Sequence, residues 1–295
     1  MTKAKFVELD RGLVLITGKD GNEFLQGLIS QDLNKISDSQ FAYGALLTPQ
    51  GKFLHDFFII KYKGQLILDC ANGQQKDLIL LLNRFKLRAN IELSEMDDLS
   101  VFSVFGDQAA RAFELEDKAG KALLISDGVV YVDPRSPSLG CRMLTTKKSS
   151  ENTLEKLPII QGKLEEYDLI RIKLGIPDAE KDIEKNKSTL LECNLDKFNC
   201  IDWDKGCYIG QEVTARSKYR GLVKRTLLTL HCPNNYPEKG DTVLLENREV
   251  GVIKSSCEEF AIALIRLDTL ENDNINHNLT SAGNPILIYR LPIEN

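Results

Sequence analysis

A chain of 295 residues, 42% hydrophobic and 27% charged, is long enough for a sizeable core and for two or three substructures. Its 38 Lys and Arg against 43 Asp and Glu give a formal charge of −5, which excludes a protein coated in positive charge for nucleic acid and leaves room only for a local basic patch. Seven cysteines, an odd number with no CxxC pair, speak against a disulfide scaffold and for a reducing compartment.

In chain order, Leu13–Thr17 predicts a buried strand, and Gly18–Gly21 a turn into a helix with Asp20 as N-cap and Glu23 three residues on. Leu25, Leu28, Ile29, Leu33 and Ile36 recur at helical spacing and are expected on its core face. Ala42–Leu47 and Phe53–Tyr62 predict a strand pair joined by the turn Thr48-Pro49-Gln50-Gly51. Asn72 is a candidate cap for a helix from about Gln74 to Arg88, with Leu78, Leu82 and Phe85 on one face. Leu99–Phe105 and Val129–Val132 predict strands around a short helix, Gln108–Leu115. Thr145–Asn152 predicts a polar loop, and Leu164–Leu174 a further helix. Beyond Arg225 the pattern turns to short β-like runs, Thr226–His231, Thr242–Leu245, Val250–Lys254 and Phe260–Leu267, which predict a small C-terminal barrel or sandwich. Glu271–Asn278, rich in Asn and Asp, predicts an exposed loop. Residues 1–8 hold neither an apolar signal region nor an Arg-rich presequence, and runs such as Phe260–Ile265 are far too short to span a membrane. The expectation is a cytoplasmic protein with no membrane partner.

The densest chemistry lies in Lys205-Gly206-Cys207-Tyr208-Ile209-Gly210-Gln211-Glu212. Glycines around a thiol suggest a tight turn or a close approach to a ligand. Lys205 is near enough in sequence to favour the thiolate of Cys207, the form in which cysteine reacts or ligates, and a helix beginning after Tyr208 would act in the same direction. The plain alternative is a small buried apolar cysteine. Cys193, Cys200 and Cys207 stand at intervals of seven, a spacing that matches neither compact ferredoxin run.

Several words fall in order along the chain: Gly18-Lys19-Asp20 with Phe24-Leu25-Gln26-Gly27-Leu28, then Ala45-Leu46-Leu47-Thr48-Pro49-Gln50-Gly51-Lys52 and Asp56-Phe57. Lys86-Leu87-Arg88, Asp133-Pro134-Arg135, Leu139-Gly140-Cys141-Arg142, and Arg171-Ile172 with Gly175-Ile176-Pro177 follow. The KGCYIGQE run, Ala215-Arg216, Tyr219-Arg220-Gly221 and Lys224-Arg225 complete the set. In these words the chain closely resembles the YgfZ family of folate-binding proteins, relatives of the glycine-cleavage T-protein (aminomethyltransferase). The resemblance implies an α+β fold with three substructures in a ring around a central channel and a small C-terminal β-barrel. Residues 1–225 would form the folate-binding region, two intertwined α+β subdomains, and residues 226–295 the barrel. It further implies tetrahydrofolate as cofactor, iron–sulfur client or assembly proteins as partners, an indirect link to tRNA modification, and a monomer. A folate-dependent one-carbon transferase and an RNA-associated factor are the alternatives.

Under the resemblance, Cys207, Lys205 and Asp56 are the candidates for chemistry, and Tyr208, Gln211, Glu212, Arg216, Arg220, Arg225 and Arg171 those for cofactor binding, with no metal site. His55-Asp56 stands where T-protein relatives carry two acids, so either acid–base chemistry or a solvated strand face fits the position. Lys173 stands where T-protein relatives carry a glutamate that holds the pterin ring; an ammonium has only donors and cannot accept from pterin N–H groups. Arg216, Lys218, Arg220, Lys224 and Arg225 suit the carboxylates of a folate tail, RNA phosphates, or a solvated face.

Overall fold

In the computed structural model, which describes residues 3–233, 236–271 and 278–290, the apolar alternations of the chain pair into three sheets among the described residues. Two compact units result. The first comprises Met1–Leu47, Leu54–Tyr167 and Asn199–Ile209; the second comprises Thr48–Phe53, Asp168–Phe198 and Gly210–Asn295.

The first unit carries β1 (Ala4–Leu9), β2 (Arg11–Thr17), β3 (Ala42–Leu47), β4 (Phe53–Tyr62), β5 (Gln65–Ala71), β6 (Glu92–Met96), β7 (Ser100–Phe105), β8 (Ala122–Ile125), β9 (Gly128–Val132), β10 (Cys141–Thr145) and β11 (Ile159–Gln161). One sheet has the order β3-β4-β5-β2-β6 and the other β11-β1-β7-β10-β9-β8. Successive side chains of a strand point to opposite faces, so each sheet offers two. The outer face of the first sheet, with Val14, Ile16, Phe57, Ile59 and Leu68, is covered by Leu25 of α1 (Gly21–Gln26) and by Leu78 and Leu82 of α2 (Gln75–Asn83). Phe102, Val104, Val130, Val132 and Met143 of the other sheet pack against Ala109 and Ala110 of α3 (Ala109–Ala112) and Leu154 of α4 (Lys147–Leu154). Each large aliphatic side chain so buried contributes about 1.5–3 kcal/mol.

The opposite faces meet in a layer that is ionic as well as aromatic. Asp69 accepts from Arg11 Nε (2.6 Å) and Arg142 Nη2 (2.7 Å), and Asp133 takes Arg135 Nε (3.1 Å) and Nη2 (2.8 Å) as a fork. All three guanidiniums lie over the Phe58 ring, Arg142 nearest at 3.9 Å. Burial alone would raise the Asp69 carboxyl, yet Arg11 and Arg142 hold it below the usual carboxylate range.

The second unit holds part of α5 (Leu164–Lys173), then α6 (Ala179–Asp182), α7 (Gln211–Tyr219), and a seven-stranded sheet that curls into a near-closed barrel. Its strands are β12 (Arg225–His231), β13 (Thr242–Leu245), β14 (Arg248–Cys257), β15 (Phe260–Arg266), β16 (Leu279–Ser281), β17 (Asn284–Pro285) and β18 (Leu287–Arg290), in the order β17-β16-β13-β14-β15-β12-β18. Leu228, Leu230, Val243, Ile253 and Ala263 lie in its core. The barrel begins at Arg225, whereas the compact unit around it also takes in Thr48–Phe53 and Asp168–Phe198, so compactness does not follow a cut at 225–226.

Several local expectations are corrected. The first helix stops at Gln26, and Leu33–Lys35 forms a separate 3-10 turn; Leu25, Leu28, Ile29 and Leu33 are buried as expected, but not along one helix. Asp20 does stand at the N-cap of α1, but its carboxylate makes no capping bond and accepts from the Asn90 amide instead (2.7 Å). The second helix ends at Asn83, and Asn72 turns back on the amide of Gly73 (2.9 Å) rather than capping it. Thr145–Asn152 is no loop: Thr146 accepts from the Ser149 amide and starts α4, a local N-cap that outweighs a polar composition. The stretch Glu271–Asn278 lies mostly outside the described residues.

Candidate functional site

The site is built from the loop that carries Lys205, Cys207 and Tyr208 in the first unit. Lys205 is buried, and its ammonium donates to three main-chain carbonyls in the segment after α1: Gln26 (2.8 Å), Ile29 (2.7 Å) and Gln31 (2.7 Å). Those three bonds exhaust an ammonium's donors. Burial draws the group down to about 8, while the charges of Asp32 and Asp202 hold it up, so it remains protonated at neutral pH. Lys205 thus fastens the loop to the body of the unit. Ser30 Oγ adds a bond to the Cys200 carbonyl (2.5 Å) in the same strip.

Two residues on, Cys207 is exposed. Among the described residues, Cys70, Cys141, Cys193, Cys200 and Cys232 are buried and Cys257 is half-buried. Burial raises the thiols of Cys70, Cys141 and Cys193 to about 12 and that of Cys232 to about 11. Cys207 is therefore the thiol most open to a reagent or a metal, with Cys257 partly accessible. Among the described residues, no group of three or more His, Cys, Asp or Glu is placed to hold a metal ion, the triplet at intervals of seven included.

Tyr208 turns inward. Its ring lies 5.3 Å from the Lys205 ammonium, and its buried hydroxyl has no hydrogen-bond partner. Burial holds the phenol well above its ordinary range. A side chain at Gly206 would meet open space, so no protein neighbour requires glycine there. Gly210 meets the expectation of a tight turn: its φ of +83° at the N-cap of α7 is a left-handed position that favours glycine.

Strand alternation separates the His55-Asp56 word. Asp56 faces the ionic layer and accepts from the Tyr43 hydroxyl (2.7 Å), whereas His55 Nε2 lies 2.9 Å from Asp77 of α2 on the other face. The two do not form a dyad. Composition and local pattern did not point to Arg11, Asp69 and Arg142 as a group. The available signal was Asp69 itself, one acid inside the apolar run Leu66-Ile67-Leu68-Asp69-Cys70-Ala71, since a charge in such a run must be paired.

In the second unit, Arg171 is buried and committed: Nε bonds Asp168 (3.1 Å), and Nη1 bonds the Ile176 carbonyl (2.8 Å) and Asp182 (3.0 Å). It braces α5 and the turn after it. Lys173 places its ammonium 4.3 Å from the centre of the Phe260 ring. On α7, Gln211 is half-buried while Glu212, Arg216 and Arg220 are exposed; Arg225, at the start of β12, is exposed and lies 3.4 Å from Glu192. Among the described residues, no helix is long and apolar enough to cross a membrane.

Comparison with known proteins gives this geometry its context. Residues 224–288 match the family model described as CAF17, C-terminal beta-barrel domain. Curated proteins named "Iron-sulfur cluster assembly factor IBA57 homolog, mitochondrial" are similar to the chain. That of Neurospora crassa is 31% identical over 232 residues, covering 74% of this chain and 51% of the relative. The Aspergillus fumigatus protein is 31% identical over 263 residues, covering 79% and 58%, and that of Coccidioides immitis 29% over 248 residues, covering 78% and 57%. The chain thus spans about half the length of the curated relatives it matches. The crystal structure of glycine cleavage system aminomethyltransferase T from Bartonella henselae superposes with a TM-score of 0.78 at 14% identity, over 99% of this chain and 86% of that one.

These relatives correct the expectation of a cytoplasmic protein, because they are mitochondrial by name. The cysteine argument behind that expectation separates reducing from oxidising surroundings and is blind to which reducing compartment is meant. An α+β fold like that of the T-protein, with a small C-terminal β-barrel similar to the CAF17 one, is what these residues build.

Proposed function

We propose that the chain is a folate-binding accessory factor for the assembly or repair of iron–sulfur proteins, acting through Cys207. The observation that carries this reading is an exposed thiol on a loop pinned by the three bonds of Lys205, where five of the other six cysteines are buried and Cys257 is half-buried. A fixed, accessible thiol is suited to hold an iron or sulfur atom in passing or to react covalently. The curated relatives, named as iron–sulfur cluster assembly factors, supply the biological setting.

Folate belongs to the proposal through the T-protein fold. The buried hydroxyl of Tyr208 has no partner, and a buried polar group left so costs about 1–3 kcal/mol, which favours a polar ligand group reaching it. Arg216 and Arg220 are exposed and free to meet carboxylates. The pterin-holding acceptor does not fit, because Lys173 stands in its place and lies against Phe260. This weakens the one-carbon transferase reading and leaves folate to be held through other contacts.

The test compares Cys207→Ser with wild type in a strain lacking this protein, with the activity of a cluster-dependent enzyme as readout. Loss of restoration at unchanged protein level is expected. Full restoration by the serine variant overturns the role of the thiol. Equilibrium binding of tetrahydrofolate to the purified protein tests the ligand separately, and no saturable binding removes folate from the reading.

A further inference from the structure

The connection between α2 and β6 reads Arg84-Phe85-Lys86-Leu87-Arg88, cation and apolar residue in alternation, and neither the thiol nor the folate reading uses it. The Phe85 and Lys86 amides donate to the carbonyls of Leu82 (3.0 Å) and Asn83 (3.2 Å), and the Ala89 amide turns back on Lys86 (2.8 Å). Leu87 stands at the crest of that last turn, 91% exposed and with a φ of +42°. This is the left-handed region, which glycine takes without strain and a bulky side chain takes at a cost. An aliphatic side chain in water is unfavourable as well. Leu87 is thus strained and wetted together, and a side chain so exposed gains little from the packing of its own unit. Leu80 of α2 and Phe85 are also exposed.

Strand register brings more cations to the same end of the sheet. Thr17 faces Glu92 at the start of β6, Ile16 faces Leu66, and Tyr62 faces Gln65 across the hairpin of β4 and β5. The strands β5, β2 and β6 are neighbours about 4.8 Å apart, so the turns holding Lys63, Lys19 and Lys86 stand in a row. Lys19, Lys63, Arg84 and Arg88 are exposed and Lys86 is half-buried. Three carboxylates lie in or next to these connections, those of Asp20, Glu23 and Glu92, and Asp20 is taken by the Asn90 amide (2.7 Å). The patch is positive in a chain whose formal charge is −5.

The arrangement tells partners apart. A protein groove that takes a helix reads anchors three or four residues apart, whereas Leu80, Phe85 and Leu87 are separated by five and by two. Single-stranded nucleic acid stacks its bases on aromatic rings, and the most exposed large apolar residue described is this leucine. A bilayer interface asks for neither. It takes an aliphatic side chain between its head groups and holds cations at its phosphates, while the stems of Lys and Arg lie along the apolar boundary. The expectation of no membrane partner follows from span length, and attachment to a bilayer surface needs no span.

We propose that this end of the first unit attaches to the surface of an anionic lipid bilayer, with Leu87 inserted between head groups and the cations around it on lipid phosphates.

The test mixes the full chain with vesicles of phosphatidylcholine containing about 30 mol% phosphatidylserine, or of phosphatidylcholine alone, and reads binding by flotation at low and high salt. Binding about tenfold or more tighter to the anionic vesicles, and weaker as salt rises, is expected. The double variant Lys86→Gln with Arg88→Gln is expected to weaken it about tenfold or more, at about a factor of five per cation. Leu87→Gly, which relieves the left-handed strain, should weaken it about fivefold or more while the melting temperature stays or rises. Leu87→Trp should bind, and its emission, with the signal of Trp203 subtracted, should shift to the blue on the anionic vesicles. Cys207→Ser should bind as the wild type does, which keeps the result separate from the thiol reading. Equal binding to both vesicles, binding indifferent to the double variant or to Leu87→Gly, or an unshifted emission from Leu87→Trp overturns the proposal. No binding to either vesicle overturns it too, and leaves the patch to a protein or nucleic acid.

Discussion

The two units use their arginines in opposite ways, apart from Arg171, enclosed with Asp168 and Asp182 in the second unit, and Arg84, Arg88 and Arg111, exposed in the first. In the first, Arg11, Arg135 and Arg142 are enclosed between sheets with Asp69 and Asp133 and stack on Phe58, so their charges are spent on one another. In the second, Arg216, Arg220, Lys224 and Arg225 stand in water, and Arg225 shares one carboxylate at 3.4 Å. Enclosed pairs are expensive to break because the survivor is left charged and buried, whereas exposed pairs are worth little in themselves. The first set therefore holds the fold, and the second is available to bind.

This contrast breaks most readily at Arg142. Arg142→Met takes one of two guanidiniums from Asp69, and the donor to Tyr131 as well; a loss of about 3–5 kcal/mol is expected in urea unfolding. A loss under about 1 kcal/mol would make the enclosed layer no different from a surface pair. Next comes Lys205→Met, which strands the carbonyls of Gln26, Ile29 and Gln31 and should cost about 2–3 kcal/mol by the same assay. If Lys205 were instead a chemical assistant to Cys207, the variant would keep its stability and lose only thiol reactivity, measured by the rate of alkylation.

The smallest effect sharpens the other side of the contrast. Glu184 bonds Lys254 (2.7 Å) and Lys187 (3.2 Å), and these bonds lower its carboxyl from 4.5 to about 2. A depressed acid contributes stability that is fully present above its unfolded value and is lost as pH falls through the folded one, here between about 4.5 and 2. Because Glu184 is half exposed, the contribution is screened to about 0.3–1 kcal/mol. The melting temperatures of wild type and Glu184→Gln should differ by a few degrees at pH 7, and the gap should shrink below about pH 4.5 and close once the pH is below about 2. A gap that persists there would mean that the carboxylate is not what stabilises.

Apolar alternation made most strands legible, and β13 runs over the very residues 242–245 expected of it, because strand and core need only local pattern. Polar elements were less legible. The helix α4 reads Lys147-Lys148-Ser149-Ser150-Glu151-Asn152-Thr153-Leu154, with little apolar period, and owes its start to one cap at Thr146. The ionic layer was invisible for another reason: Arg11 and Asp69 are 58 residues apart, and Asp69 and Arg142 are 73 apart, so no window contains the pair. The same holds at the candidate site. The KGCYIGQE word singled out Cys207 from its neighbours and family, but the partners of Lys205 lie far back in the chain, and the fastening they make could not be read from the word itself.

That fastening also has a timetable. The three carbonyls that receive Lys205 belong to residues made 174 to 179 positions earlier. Contacts of such long range close late in folding, since a large loop must be ordered before they form. On a growing chain the oxygens of residues 26, 29 and 31 stay hydrated until residue 205 has left the ribosome, and only then does the loop take its place. The exposed thiol is thus positioned near the end of synthesis, and a chain that stops short of residue 205 has its carbonyl cradle but nothing to seat in it.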